Sequence, residues 1–595
     1  MIEDRPRGGQ NRPTWGAALP SRRGGRPGRL GEAASAVLRA AGWAALVATA
    51  AICVLPILVI LLGGLSDGAS LANIHLSTAP WGRVLASAQT LQSIKYSLLL
   101  SLRVPAALVI AFVLAWYLAR NDVFGKRTIM YVLWLAFFLP ILPATLGWIL
   151  LLDPNYGVIN GWAKALIGTD VMNIYSLWGI TWMHLTLSTV PIMVILIEPA
   201  QRLIDTSYEE AATMAGASTW TTMRRITLPL LAPTLLTALI AALIKALEAF
   251  EVEQLLGVPA GIQVYSTRVY NLLGFDPPDQ PQALALSSFF LAILFVLVVL
   301  YRGFLQRARM TATLTGKGAR LLPRRRTKLS LVVSASMFAT LAVTVLLPFA
   351  SVTVSSMSRL FGFYSVPHPF TLAHWRTIFA SPAFSGALSQ SLVVGGTVMV
   401  SGTLLYLLLA WFLARNEFRG KPALSLAIWL PWAVPGVLLG TAFLSLFLNV
   451  PGLRFIHGTV LALIIVLIVQ NLPFATHLFE ASISQVAREL EEAARMSGAG
   501  PIRAASRITA PIIAPMVASV MVVAFMSAMK DISATVLLAT PGTQTLPLLM
   551  FGYATSGQLE DAAVVGVITM FVAMAMAMLA TLIGDRSALA PQPRR

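Results

Sequence analysis

Two short stretches hold most of the reactive side chains in an otherwise apolar chain. "IKALEAFEVEQLLGVPAG" (244–261) carries Glu248, Glu251 and Glu253, and "AMKDISATVLLATPG" (528–542) carries Lys530 and Asp531. Glu248 and Glu251 are three residues apart, so a continuous helix would put both on one face. Carboxylates are hard oxygen donors suited to hard cations. The trio would therefore suit a ferric ion in transit or a cationic organic solute. Charge at membrane depth is costly and by default marks a pathway; the alternative is that these groups face water beyond the helix ends.

Other chemistry is hard to assemble. The six histidines, at 75, 184, 368, 374, 457 and 477, lack metal-ligand spacing, so no metal site is expected. A phosphate-binding loop needs G-x-x-x-x-G-K-[ST], and neither "VFGKRT" (123–128) nor "LTGKGAR" (314–320) supplies it. The single cysteine, Cys53, lies in an apolar run and has no partner for an intrachain disulfide. We expect neither a catalytic residue nor a bound cofactor.

The elements that must position these residues span a membrane. The chain has 595 residues, 57% hydrophobic and only 11% charged, against about 25% charged in soluble domains. Its apolar runs are long and continuous, which selects helices over a barrel. They fall near 41–63, 97–118, 128–152, 174–197, 229–247 and 284–301, then 329–354, 391–414, 424–448, 457–479, 512–529 and 562–584. The fifth and eleventh contain prolines and end in charged residues. The net charge of +18 is read as marking the cytoplasmic side rather than a nucleic-acid face. With a cytoplasmic N-terminus, most Lys and Arg fall on the inside, and both termini are cytoplasmic.

This predicts an all-α polytopic protein of about 12 transmembrane helices. Residues 1–40 read as a disordered basic N-terminus with a retained first helix after it, despite the twin-arginine look of "SRRGGRP". Residues 41–301 and 329–584 form two halves, 302–328 a linker with nine basic and no acidic residues, and 585–595 a tail.

The halves are copies. "LAWYLARNDVFGK" (114–126) matches "LAWFLARNEFRGK" (409–421) at an offset of 295, and Pro140 falls on Pro435. Further on, "YEEAATMAGASTWTTMRRITLP" (208–229) matches "LEEAARMSGAGPIRAASRITAP" (490–511) at an offset of 282. The first half thus has 13 extra residues, assigned to the outside loop "DPNYGVINGWAKALIGTD". Six spans per half give parallel repeats, with a path expected between them.

The polar segments read as helical hairpins. Ser207 and Glu210 fit a capping box. Gly216 should stop the first helix, and Ser218 or Thr219 should cap the next, which ends near "LP". In the second copy, Gly500 and Pro501 open that helix. The extended pattern comprises Glu210, Ala211, Ala212, Gly216, Ile226, Leu228 and Pro229. Its repeat comprises Glu492, Ala493, Ala494, Gly498, Ile508 and Pro511, with Ala510 replacing leucine.

This pattern resembles the membrane permeases of binding-protein-dependent type I ABC importers, over roughly 41–584, in the fused arrangement found among ferric-iron and thiamine permeases. The resemblance implies an inner-membrane, multi-pass permease subunit whose hairpins dock an ABC ATPase dimer from the cytoplasm. ATP and Mg would be used by that partner, and an extracytoplasmic solute-binding protein would deliver the solute. The equivalents of 244–261 and 528–542 line the cavity in that family. Ferric iron is the favoured solute, with thiamine, polyamine or organophosphonate as alternatives. An ion-gradient-driven secondary transporter is the rival class, although it gives the hairpins no purpose.

Overall fold

The computed structural model of the protein describes residues 29–67, 75–311, 328–364, 366–416, 418 and 420–588. The chain divides into two units, Met1–Thr49 and Ala50–Arg595. The described part of the first unit is the start of the helix Arg29–Gly63. Residues 29–40, expected to be disordered, are therefore helical; 1–28 lie outside the described residues. The expected linker and tail begin inside helices, Gln280–Thr311 and Leu559–Ala588, and the remainder of each lies largely outside the described residues.

Among the described residues, ten helices are long and apolar enough to cross a membrane, and two bent pairs bring the number to 12. In the first half, spans 1 to 6 are Leu46–Gly63, Ala88–Arg120, the pair Lys126–Phe138 and Ile141–Leu152, Leu177–Leu203, Thr219–Leu247 and Gln280–Tyr301. In the second, spans 7 to 12 are Ser330–Ser355, Pro382–Arg415, the pair Lys421–Trp432 and Gly436–Asn449, Val460–Gln485, Ser506–Lys530 and Leu559–Met576. Each of these ten helices and two bent pairs falls on one of the apolar runs read from the sequence.

The third and ninth spans are not single straight helices. They bend by 103° and 108°, and each break falls at the matched prolines, Pro140 and Pro435, which cap the following helix in extended conformation. Proline lacks the amide a helix interior requires and pushes the preceding residue out of helical geometry.

Other prolines are absorbed without a break. Five π-helical turns, Leu185–Thr189, Met223–Thr227, Glu253–Gly257, Ala342–Leu346 and Ala505–Thr509, are each followed by one residue and then proline. A wider turn moves the carbonyl four residues back away from the proline ring. The helices opening at Ser218 and Pro501 therefore do not end near "LP" as expected; they run straight into spans 5 and 11.

Without a hydrophobic drive between helices in lipid, close approach of small residues does much of the packing. At Gly147, on the second part of span 3, a Cβ would lie 2.1 Å from the carbonyl oxygen of Pro348 on span 7. Only glycine lets the two halves meet there. The loop to which the extra residues of the first half are assigned contains the helix Val158–Ile167. Its Asn160 amide donates to Leu152 O (2.8 Å) and Met172 O (2.9 Å).

Candidate functional site: two hairpins and the broken spans

The first hairpin opens with the helix Thr206–Met214. Its cap is Asp205, whose carboxylate accepts from Ser207 N at 2.9 Å, and not the expected Ser207–Glu210 box. Aspartate readily bonds its own backbone two residues on, which places the cap two residues earlier. Gly216 (φ +82°) and Gly498 (φ +87°) adopt the left-handed conformation that ends each helix. Matching bonds from Ala217 N to Ala212 O and from Ala499 N to Ala494 O, both 2.9 Å, close the turns. Ser218 caps the next helix by accepting from Thr221 N, and Pro501 stands first in its counterpart, Pro501–Ala504.

The two copies present the same surface. Glu210, Ala211, Gly216 and Pro229 are exposed, as are Glu492, Ala493, Gly498 and Pro511; Ala212, Ala494, Ile226 and Ile508 are half-buried. Met214 and Met496 are 91% and 90% exposed, a large apolar side chain at the same place on each hairpin. Leu228 also points outward, so alanine at 510 disturbs nothing inside.

The neighbouring glutamate of each pair does something different. Glu209 Oε1 lies 3.0 Å from Arg120 Nη2 and accepts from the Thr227 hydroxyl at 3.2 Å. Glu491 Oε1 lies 2.9 Å from Arg415 Nη2 and accepts from the Thr509 hydroxyl at 2.6 Å. Arg120 also donates to Ile204 O (3.3 Å), and Arg415 to Val486 O (3.1 Å). The repeat offsets hold throughout, 295 for the arginines and 282 for the rest. The π turns before Pro229 and Pro511 end on Thr227 and Thr509, which sets their register toward the carboxylates.

At membrane depth, spans 5 and 11 break within one residue of equivalent positions, after Leu247 and Lys530. Glu248 and Glu251 consequently do not share a continuous helical face, correcting the sequence expectation. Phe250 is fully buried at the break, with its ring 5.3 Å from that of Tyr270 and 5.7 Å from that of Phe551. Ser266 donates to the carbonyl of Ala249 at 2.5 Å, holding the unwound backbone. In each half a serine of the preceding bundle accepts the first amide of the short helix that follows. Tyr265 N donates to Ser97 (2.8 Å) and Leu546 N to Ser391 (2.7 Å).

Irregular backbone at this depth must satisfy its own polar groups, and two cations do so. In unbroken helices, Ala246 O and Phe137 O would accept from residues 250 and 141. Instead Arg103 donates to Ala246 O (3.4 Å) and Lys530 to Phe137 O (3.1 Å). Positive charge also suits a helix C-terminus.

The five charged residues singled out in the sequence go to different surroundings. Glu248 pairs with exposed Lys245 at 2.6 Å. Buried Glu253 takes His184 Nε2 at 2.8 Å, with Arg103 at 3.9 Å. Asp531 is buried and accepts from Ala534 N (3.1 Å) and the Thr535 hydroxyl (3.3 Å). Glu251 and Lys530 alone among them line one small cavity, together with Pro140, Pro143 and Met550. Among the described residues no three of His, Cys, Asp and Glu converge as a metal site, so the three glutamates do not form one site.

Comparison with known proteins matches residues 107–310 and 406–594 to the family described as "Binding-protein-dependent transport system inner membrane component". The chain belongs to this family. The double match makes it a fused, two-half permease chain, as the internal repeat required. The ferric transport system permease protein FbpB of Actinobacillus pleuropneumoniae is 26% identical over 398 residues, covering 66% of this chain and 56% of that one. A probable ABC transporter permease protein, y4fN, of Sinorhizobium fredii is 26% identical over 423 residues, covering 70% and 73%. A putative 2-aminoethylphosphonate transport system permease protein, PhnV, of Salmonella paratyphi A is 25% identical over 232 residues, covering 39% and 86%. The chain thus spans about half the length of the ferric relative.

In this binding-protein-dependent permease, sequence reasoning missed Arg120, Glu209 and Thr227 with their repeats, and the Arg103–His184–Glu253 cluster. The cluster had a signal: lone ionisable groups in different spans of one half are each costly, so they tend to find one another. Glu209 and Glu491 were hidden by the motif, which draws attention to the following residue.

Proposed function

We propose that the chain is the membrane permease of an ATP-driven importer, supplying both halves of the path and moving its solute into the cytoplasm. The observation that carries this reading is the duplicated hairpin. Two matching faces, each with an exposed Glu-Ala pair, a left-handed glycine and an exposed methionine, suit two copies of one partner. That partner is an ABC ATPase dimer, which binds ATP and Mg while this chain holds neither. An extracytoplasmic solute-binding protein, the component named in the family description, delivers the solute. The protein resides in the bacterial inner membrane with hairpins and termini on the cytoplasmic side.

Ferric iron is the solute we favour, supported by the ferric relative and by Glu251 at the cavity between the halves. A relative named for 2-aminoethylphosphonate transport keeps organophosphonate as the next to assay, followed by thiamine and polyamines. Glu210→Lys combined with Gly498→Pro tests the reading. The variant should insert normally, and ATP hydrolysis by the complex should no longer drive uptake. Full transport by this variant would refute it.

A further inference from the structure

One carboxylate oxygen in each half holds together four elements. In the first half, Glu209 Oε1 receives Arg120 from the end of span 2 and Thr227 from the start of span 5. The same guanidinium reaches Ile204 O, at the exit from span 4. The second half repeats the arrangement with Glu491, Arg415, Thr509 and Val486 O. Arg415 donates to Glu491 Oε1 from both Nε and Nη2, and Arg120 to Glu209 Oε1 from Nε. Donors converging on one charged acceptor fix direction as well as distance, so the hairpin helix cannot rotate without moving the ends of its spans.

The comparison of the two halves argues that this is more than general packing. Of the other buried charges, Glu198 keeps a glutamate at 480 and its partner Lys126 a lysine at 421, whereas the Arg103–His184–Glu253 cluster is confined to the first half. The positions equivalent to Arg103, His184 and Glu253 in the second half are Val398, Val466 and Thr535. The Arg–Glu–Thr node is present in both, with the guanidinium Nε and the threonine hydroxyl donating to one carboxylate oxygen and a terminal guanidinium nitrogen donating to the equivalent backbone carbonyl. It lies directly behind the exposed Glu210 and Glu492 faces, where a partner would push.

We propose that these two nodes are the linkage through which force on each hairpin reaches spans 2, 4 and 5, and 8, 10 and 11; this rests on the ATP-driven reading above. Arg120, Glu209, Thr227 and their repeats are positioning residues, acting through the spans and touching no solute. The second node is the more enclosed, with the Glu491 side chain 7% exposed against 22% for Glu209. It should transmit the larger share.

The test uses the full complex with its ATPase subunits in lipid nanodiscs, with Met550→Cys reporting on the cavity between the halves. Cys53 is buried at 1% exposure and adds little background. N-ethylmaleimide labelling rates are compared with and without a non-hydrolysable ATP analogue. Thr227→Val with Thr509→Val keeps side-chain shape and removes the hydroxyls; the serine pair retains them. Loss of a bond to a charged acceptor is worth about tenfold or more in equilibrium. We expect the nucleotide-dependent rate ratio to fall by about that factor, or to one, in the valine pair and to persist in the serine pair.

Arg120→Lys with Arg415→Lys keeps charge but loses the fork, and should behave like the valine pair while still binding nucleotide. It also provides the readout if the valine pair does not assemble. A wild-type ratio in the valine or lysine pair, or loss in the serine pair, overturns the proposal. No nucleotide response in the Met550→Cys background itself would instead overturn the ATP-driven reading.

Discussion

Consider Arg415→Met, which keeps most of the apolar stem and removes the guanidinium. At 2.9 Å and an effective dielectric of about 20, the Coulomb attraction to Glu491 is about 6 kcal/mol before desolvation. Arg120 and Glu209, at 3.0 Å, have nearly the same gross attraction, so distance does not distinguish the halves. Burial does. Glu491 is left as an unpaired carboxylate at 7% exposure, the situation that costs about 3–5 kcal/mol. Glu209 at 22% exposure can recruit water, which brings Arg120→Met down to about 1–2 kcal/mol, between the buried and exposed limits. Replacing both members of the pair, Arg415→Met with Glu491→Met, should recover most of the lost stability, because apolar replacements of buried pairs are often neutral. Thr509 can then turn to a carbonyl of its own helix. Survival of the monodisperse size-exclusion peak in detergent after graded heating should rank wild type and the double variant above Arg120→Met, and that above Arg415→Met. Equal losses in the two single variants, or a double variant no better than Arg415→Met, would refute the burial argument.

Two further outcomes follow from the packing and the cavity. Gly147→Ala puts a methyl 2.1 Å from a backbone oxygen that no rotamer can relieve, and should cost about 3 kcal/mol or more in the same heating assay. Gly161→Ala has nothing within 4 Å of the new Cβ and should be neutral or stabilising by up to about 1 kcal/mol. Glu251→Gln should change uptake kinetics in proteoliposomes because Glu251 lines the cavity, whereas Glu248→Gln should not, because its carboxylate is engaged by exposed Lys245.

Much of the fold was legible because apolar runs of membrane length admit few alternatives. The duplication then fixed the correspondence between Pro140 and Pro435 and between the two hairpins. The bends at those prolines were not foreseen, since proline within an apolar run is compatible with a kink, a π turn or a full break. The chain shows the last two, at Pro140 and Pro229. The breaks after Leu247 and Lys530 had weaker signals, lacking glycine or proline at the break itself. At the first, Phe250 is drawn between the halves and Arg103 caps the freed carbonyl of Ala246; at the second, Asp531 takes the amide of Ala534 and the hydroxyl of Thr535. The Glu209 and Glu491 nodes depend on arginines 89 and 76 residues away, a pairing that spacing along one helix cannot reveal. The hairpin glycines were readable at once because a helix stop followed by a second cap leaves few conformations open.

The central claim is that two hairpins take their drive from ATP hydrolysed on partner subunits. The most direct measurement is solute uptake into proteoliposomes holding the permease, its co-purified ATPase and the binding protein loaded with ferric iron, with the proton gradient collapsed by an uncoupler. Uptake should require ATP, persist without the gradient and be lost in Glu210→Lys with Gly498→Pro. Uptake that stops with the uncoupler while ATP is plentiful, or proceeds without ATP, would contradict the claim.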